Sequence, residues 1–301
     1  MDKIDVKQAL SEYFSDVRVD EPMSAHTSFQ VGGPADIMVL PKSKAELLCG
    51  YKALISLGCP LFVMGRGTDL LVRSGGMRGV VLKLADNFSG VTVEGDCVTA
   101  LSGTPLSVLV QEAMRHGLGG APFLAGIPGT LGGALTMNAG AYGGEIGPFV
   151  EEVYFLSRAG EAALRREEMR FGYRHSILSD YPLIALGAKL RLLPVPPEQT
   201  AREVEELAER RRSKQPLEYP SAGSTFKRPA GHFAGALIDQ AGMRGVCVGG
   251  AQVSEKHAGF IINKGGATPE DVLELIALVQ RRVLECSGVT LEPEIKIIGE
   301  A

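Results

Sequence analysis

An arginine, a serine and a glutamate in this chain are each of a type, and in a local setting, that could do chemistry. Arg174 lies in "RFGYRHS" (170–176), between Tyr173 and His175. A guanidinium presents a rigid fork of donors that matches a carboxylate or an enolate oxygen, although many arginines only make exposed salt bridges. Ser224 lies in "YPSAGSTFKRP" (219–229), flanked by Ser221, Thr225, Lys227 and Arg228. A serine acts as an acid only where its alkoxide is stabilised, which a nearby Lys or Arg can do; otherwise such hydroxyls face solvent in a turn. No GxSxG elbow is present, so a hydrolase triad is not indicated. Glu294 lies in "LEPEIKIIG" (291–299), after Pro293 and before an apolar run. A carboxylate at the mouth of such a strand is a candidate for a raised pKa, the alternative being an edge Glu in water. His257 and Asn263, in "VSEKHAGFIIN" (253–263), are candidate hydrogen-bonding ligands at the end of an apolar strand.

Two glycine-rich stretches suit a phosphate. In "VMGRGTDLLV" (63–72) a strand-like run ends at Met64 and the chain turns through Gly65, Arg66, Gly67, Thr68 and Asp69. Consecutive N–H groups there can form an anion nest, with the Arg66 side chain and the Thr68 hydroxyl as further donors; the other reading is a tight turn. Asp69 suits a phosphate poorly unless it faces a ribose or a backbone N–H. The second stretch, "FLAGIPGTLGGALTMNAGAYGG" (123–144), has no charged residue in 22, and seven of them are glycine. Its length would cross a bilayer, but the glycines, Pro128 and Asn138 argue against a span. Backbone that approaches a ligand closely is the better use of such a run. Two loops of this kind suit a long dinucleotide. Neither is a Rossmann fingerprint or a P-loop, so a different fold is expected.

The elements that position these residues are marked by their caps. Ser43 and Glu46 form a capping box, and Gly58 ends that helix. Pro105 is expected in the first turn of a helix with the apolar stripe Leu106, Leu109, Val110, Ala113 and Met114, closed by Gly117. Thr200 and Glu203 are expected to cap a Glu/Arg-rich helix, and Thr268, Pro269 and Asp271 to open the last one. "MDKIDVKQALSEYF" is an amphipathic helix without a signal-peptide core. Strand-like runs fall at 60–64, 79–84, 90–103, 183–194 and 291–299, without strict alternation with helices, which indicates an α+β class. The prolines of "LLPVPPEQT" (192–200) suggest a boundary near Pro194–Pro197, giving domains 1–195, with a subdivision near 70–80, and 196–301. The strand at 291–299 has the option of packing back toward the first domain.

Composition narrows the function classes. Across 301 residues, 45% are hydrophobic and 22% charged, with 38 glycines. A net charge of −4 does not suit bulk nucleic-acid binding. Five scattered cysteines (49, 59, 97, 247 and 286) form no metal spacing and read as reduced, packed thiols of a cytoplasmic protein. No metal, membrane or protein partner is implied.

Taken together, "HTSFQVGGPAD", "GRGTDLLV", "LAGIPGTLGGALTMNAGAYGGEI", "FGYRHS", "QPLEYPSAGSTFKRPAGHFAGALIDQAG", "VSEKHAGFIIN" and "LEPEIKIIG" resemble the UDP-N-acetylenolpyruvoylglucosamine reductases in content and order, from His26 to Gly299. The uninterrupted route from "FGYRHS" to "PSAGS" resembles the shorter, second type, which lacks an extra substrate-covering loop. The resemblance implies a FAD-binding fold of the vanillyl-alcohol oxidase (PCMH) type plus a C-terminal α+β substrate-binding domain. It implies non-covalent FAD, NADPH as reductant, and reduction of an enolpyruvyl UDP-sugar in peptidoglycan precursor synthesis. Gly65, Arg66, Gly67, Thr68 and Asp69, with Gly126, Ile127, Pro128, Gly129, Thr130, Gly132, Gly133, Asn138, Ala139 and Gly140, would hold FAD. The family more often carries Gly-Ser-Asn where this chain has Gly67-Thr68-Asp69. Arg174, Ser224 and Glu294 would be catalytic, and Tyr173, Lys214, Arg228, His257 and Asn263 would hold substrate. Another FAD oxidoreductase of the same fold, or a nucleotide-sugar or flavin-binding module without turnover, are the rival readings.

Overall fold

The computed structural model describes residues 2–301. In chain order its elements are α1 (Lys3–Ser11), β1 (Val17–Pro22), β2 (Pro34–Val39), α2 (Lys44–Ser56), β3 (Leu61–Met64), β4 (Leu70–Val72), β5 (Met77–Lys83), β6 (Val91–Glu94), β7 (Cys97–Leu101), α3 (Leu106–Arg115), β8 (Leu118–Gly119), α4 (Leu131–Thr136), β9 (Gly140–Ala141) and β10 (Gly144–Glu145). They continue with β11 (Val150–Ser157), β12 (Gly160–Arg165), β13 (Ile184–Arg191), β14 (Leu193–Pro194), α5 (Pro197–Lys214), α6 (Ala234–Gln240), β15 (Cys247–Val248), β16 (Ala251–Val253), β17 (Ile261–Asn263), α7 (Pro269–Ser287) and β18 (Lys296–Ile298). One sheet has the strand order β1-β2-β5-β3. By compactness the chain forms two units: one holds the chain up to Arg18, Met38–Arg66 and Val81–Arg211, the other Val19–Ile37, Gly67–Val80 and Arg212–Ala301.

The first unit is built on an antiparallel sheet of order β12-β11-β13-β7-β6. Its inner face supplies Val98, Ala188 and Leu190, and α3 covers them with Leu106, Leu109 and Ala113. Of the expected α3 stripe, Leu106, Leu109, Val110 and Ala113 are buried and Met114 only partly, and Pro105 stands at the N-cap, one position before the first turn. Its ring presets the entry angle where no N–H is needed. Ser43 caps α2 by accepting from the Glu46 N–H at 3.1 Å. The reciprocal half of that box does not form. The Glu46 carboxylate accepts from the N–H groups of Ser15 and Lys42, at 2.5 Å each, and so ties α2 to the segment between α1 and β1.

The second unit packs α7 against a small sheet of order β15-β16-β17. Thr268 and Asp271 close a complete capping box, and Gly288 ends the helix with φ 70°. Val272, Leu275, Ile276, Val279 and Val283 are buried along one stripe, each stabilising the fold by ~1.5–3 kcal/mol. Phe29, Val31 and Leu71 join this core from the N-terminal half of the chain, and β4 pairs in parallel with β18 through Leu70↔Lys296 and Val72↔Ile298.

Four expectations change here. The prolines at 194–197 do not form a linker: Pro197 is the first residue of α5, which runs unbroken to Lys214, and by compactness the division falls after Arg211. Thr200 is therefore a buried residue inside the helix and not its cap. In "LEPEIKIIG" only 296–298 is strand, because Leu291 to Ile295 are held through Pro293 and Glu294 against 225–226. Cys97 is buried, but Cys49, Cys247 and Cys286 are exposed, so those three thiols are not packed. No helix among the described residues is long and apolar enough to cross a membrane.

Candidate active site

In the first unit the two glycine-rich stretches touch. β3 delivers the chain to Gly65, where a Cβ would lie 2.3 Å from the Thr130 hydroxyl oxygen. Only a residue without a Cβ fits this approach. The second stretch then lies along residues 102–106: Leu106 N donates to Gly129 O (3.3 Å), Leu131 N to Thr104 O (2.9 Å) and Gly132 N to Ser102 O (2.7 Å). At Thr130 it turns into α4, a short helix where a loop was expected. The N–H groups of Gly65, Arg66, Gly129, Thr130 and Gly133 donate to no acceptor among the described residues. The buried Ser102 hydroxyl has no partner either. Open backbone donors beside a helix start, with a bare-backbone approach that side chains would fill, fit a dinucleotide diphosphate.

Other members of the set have work inside the protein. The Arg66 guanidinium pairs with Asp86, through Nε at 3.1 Å and Nη2 at 2.5 Å, so it is not a free anion donor. Ile127 N donates to Leu124 O at 3.1 Å, closing the turn that carries Gly126 and Pro128. Asn138 is buried at φ 42°, its amide donating to Glu145 (2.9 Å) and Gly172 O (3.0 Å) and accepting from Gly147 N (3.0 Å). Ala139 and Gly140 follow it into the β9–β10 hairpin. Asn138 thus fastens the glycine-rich run to the "FGYRHS" segment.

That segment is a tight turn. Gly172 and His175 exchange backbone hydrogen bonds at 3.0 and 3.3 Å, and Arg174 at its tip has φ 56°. A non-glycine residue in this region carries strain that its surroundings must hold. The holding groups are the hydroxyls of Ser176 and Ser179, which donate to Thr136 O at 3.0 and 3.2 Å. The Arg174 guanidinium lies 5.1 Å from the exposed Tyr173 ring and 3.4 Å from Gly140 O. The turn therefore projects a cation stacked on its own neighbour.

The second unit brings Ser224 and Glu294 into one backbone frame. Residues 224–227 run between two segments: Thr225 N donates to Gly259 O (2.9 Å), Glu294 N to Thr225 O (2.8 Å) and Lys227 N to Glu292 O (2.8 Å). The buried Thr225 hydroxyl accepts from Ile261 N at 3.1 Å. Ser224 is exposed and Glu294 partly buried. His257 Nδ1 accepts from Gly259 N at 3.1 Å, which places the proton of the neutral ring on Nε2. Burial pushes its pKa below the ordinary histidine value, and the positive charges of Arg244 and Lys214 add to this against a backbone hydrogen bond. Lys214 itself is the exposed last residue of α5. The Arg228 guanidinium lies 4.0 Å from the ring of exposed Phe233, and its Nε donates to His232 O at 3.3 Å.

Asn263 is not an open ligand. It donates to Phe29 O at 3.0 Å and accepts from Gly265 N and Ala267 N at 3.0 and 3.2 Å, so its amide fixes the turn after β17. Gly67, at φ 64°, accepts from Ser28 N at 3.0 Å, and Thr68 follows it partly buried. Asp69 O accepts from Lys296 N at 2.8 Å. Burial raises the Asp69 carboxyl pKa, with Lys296 pulling the other way. Sequence reasoning did not single out Thr225 or Ser102, since no spacing distinguishes a buried hydroxyl from a turn hydroxyl.

Residues 35–163 match a FAD binding domain family, and residues 215–298 match the C-terminal domain of UDP-N-acetylenolpyruvoylglucosamine reductase. A UDP-N-acetylenolpyruvoylglucosamine reductase of Clostridioides difficile (strain 630) is 48% identical over 286 residues, covering 95% of this chain and 94% of that protein. Its namesake from Alkaliphilus oremlandii (strain OhILAs) is 48% identical over 303 residues, covering 100% of each. The crystal structure of the reductase from Thermus caldophilus superposes with TM-score 0.80 at 36% identity, over 94% of this chain and 98% of that one. An alkyldihydroxyacetonephosphate synthase, at TM-score 0.50 and 17% identity over 64% of this chain and 41% of that one, shares the fold alone. The architecture is a FAD-binding fold of the vanillyl-alcohol oxidase type joined to the reductases' C-terminal domain. The chain belongs to the UDP-N-acetylenolpyruvoylglucosamine reductase family.

Proposed function

We propose that this chain reduces UDP-N-acetyl-3-O-(1-carboxyvinyl)glucosamine to UDP-N-acetylmuramate, a step of peptidoglycan precursor synthesis, with FAD as cofactor and NADPH as reductant. The relatives named above support the reaction. The observation that carries the assignment of roles is the Glu294 N–H to Thr225 O bond, which sets a carboxyl beside the segment that bears Ser224.

Bound FAD supplies the hydride chemistry, at its N5. The residues of this chain do the rest. When a hydride reaches the β-carbon of the enolpyruvyl ether, negative charge builds on the substrate carboxylate as an enolate. Arg174, held at its strained turn, would face those oxygens; fixed charge of this kind lowers a barrier by ~3–4 kcal/mol in comparable sites. Glu294 would stand beside the enolate and assist the transfer. Ser224 would give its proton to the α-carbon, completing addition of H⁻ and H⁺ across the double bond. Tyr173, Lys214, Arg228 and His257 would hold the UDP-sugar, while Asn138 and Asn263 would act by fixing the loops around them. Gly65 to Asp69 and Gly126 to Gly140 would hold FAD. The small soluble substrates fit a cytoplasmic location, and the reaction needs no protein, nucleic-acid or membrane partner.

The test is Ser224→Ala, assayed as separate half-reactions. NADPH should still bleach the variant's yellow colour at the wild-type rate, while return of colour on adding the enolpyruvyl UDP-sugar should slow by ~10²–10⁴-fold. Normal turnover in this variant would remove Ser224 from the reaction.

A further inference from the structure

The first unit contains a cation that nothing among the described residues neutralises. Arg211 lies near the end of α5, and its guanidinium Nη1 stands 3.8 Å from where a Cβ on Gly126 would be. Its Nε is buried without a hydrogen-bond partner, and no carboxylate pairs with it among the described residues. Gly126 belongs to the stretch from Gly117 to Gly144, which has no charged residue at all. The Tyr142 phenol, from the β9–β10 turn of the same stretch, acts on Arg211, and no acidic group does among the described residues. Burial makes the charged form of Arg211 costly. Arginine nevertheless stays charged at any physiological pH, and proteins pair half-buried guanidinium groups unless something outside the chain pairs them. Further along the same stretch the N–H groups of Gly129, Thr130 and Gly133 are open donors as well. The stretch and the guanidinium against it are therefore rich in unused donors, and the group they lack is an anion. Gly126 and Tyr142 fall inside the stretch matched to a FAD binding domain, whereas Arg211 falls between the two family matches and receives no role from either.

We propose that Arg211 is the fixed counter-charge for bound FAD, donating to negatively charged acceptor oxygen of the cofactor. This rests on the reading that the chain binds FAD. Two parts of the cofactor offer such oxygen: the diphosphate, always anionic, and the N1–C2=O edge of the flavin ring, which gains negative charge on reduction.

The experiment titrates FAD, and separately riboflavin, into the apoprotein of the wild type, Arg211→Gln and Arg211→Lys, and records thermal midpoints with and without FAD. Arg211→Gln should bind FAD about ten- to a hundredfold more weakly, as expected for loss of a charge-assisted hydrogen bond, with part of the affinity restored in Arg211→Lys. The apoprotein of Arg211→Gln should melt no lower than wild type, since the guanidinium has no partner among the described residues to lose. If the diphosphate is the partner, riboflavin affinity stays unchanged. If the ring is the partner, riboflavin binding weakens too and the flavin reduction potential falls. Arg211→Gln binding FAD within twofold of wild type, at an unchanged potential, would overturn the proposal. So would an apoprotein that melts well below wild type, which would make Arg211 a folding residue. A wild-type apoprotein that fails to bind FAD would instead sink the cofactor reading itself.

Discussion

The backbone N–H of Glu294 donates to the carbonyl of Thr225 at 2.8 Å, so that two segments almost 70 residues apart in sequence form one frame. Thr225 completes the frame with its side chain, which accepts from Ile261 N at 3.1 Å in a fully buried setting. Thr225→Val keeps the shape and removes the acceptor, leaving a buried N–H unpaired. Stability to urea should fall by ~1–3 kcal/mol. Turnover should fall further than stability alone explains, with Thr225→Ser restoring both. A Thr225→Val protein with wild-type stability would mean that water reaches Ile261.

Gly65 and Thr130 should couple. Gly65→Ala would push a methyl group into the Thr130 hydroxyl, at 2.3 Å from its oxygen, and Thr130 is buried and β-branched with little room to swing away. Overpacking of this kind costs ~1–3 kcal/mol, and FAD affinity should drop with it. Gly65→Ala combined with Thr130→Ala removes the colliding oxygen, so the double variant should be more stable than the sum of the single changes. Simple additivity in a double-mutant cycle would show that the two loops do not meet.

His257 sets a pH dependence of stability. Burial is the main cause of its lowered pKa, so the unfolded chain binds its proton at a higher pH than the native one does. Stability from this group is full above the unfolded value of ~6.5, falls as pH drops below it, and levels off below the native value. Asp69, whose carboxyl is raised by burial, gives the opposite slope, so the comparison must be made with a variant. Subtracting the urea midpoints of His257→Gln from those of wild type across pH 5–8 should leave a difference that shrinks on acidification. A difference independent of pH would show that His257 titrates as it does in the unfolded chain.

Much of the frame was legible in local sequence because it is locally determined. The opening of α7 at Thr268, Pro269 and Asp271, the Gly58 stop and the apolar stripe of α3 follow from caps and period alone. What was not legible depends on distant partners. Glu46 leaves its own capping box for the Ser15 and Lys42 N–H groups, and "LEPEI" follows Thr225 instead of extending β18. α4 begins in a glycine-rich run because Gly132 packs against Ser102, with 3.0 Å between the Ser102 Cβ and the place of a Gly132 Cβ. Among site residues, the segments that carry Ser224 and Glu294 meet through the Glu294 N to Thr225 O bond, a pairing that depends on the fold and not on local sequence. Arg66 and Asn263 looked like ligands and turn out to serve Asp86 and a backbone turn. Arg211 sits in the run Arg210-Arg211-Arg212, which reads as a solvated helix face until burial singles out the middle residue.

The central claim is a flavin that takes electrons from NADPH and passes them to an enolpyruvyl UDP-sugar, and one anaerobic spectrum tests it. The purified protein should be yellow, bleach on addition of NADPH, and regain its colour on addition of UDP-N-acetyl-3-O-(1-carboxyvinyl)glucosamine. A protein that bleaches with NADPH and stays bleached with the sugar would contradict the substrate, and a colourless protein that FAD cannot reconstitute would contradict the account as a whole.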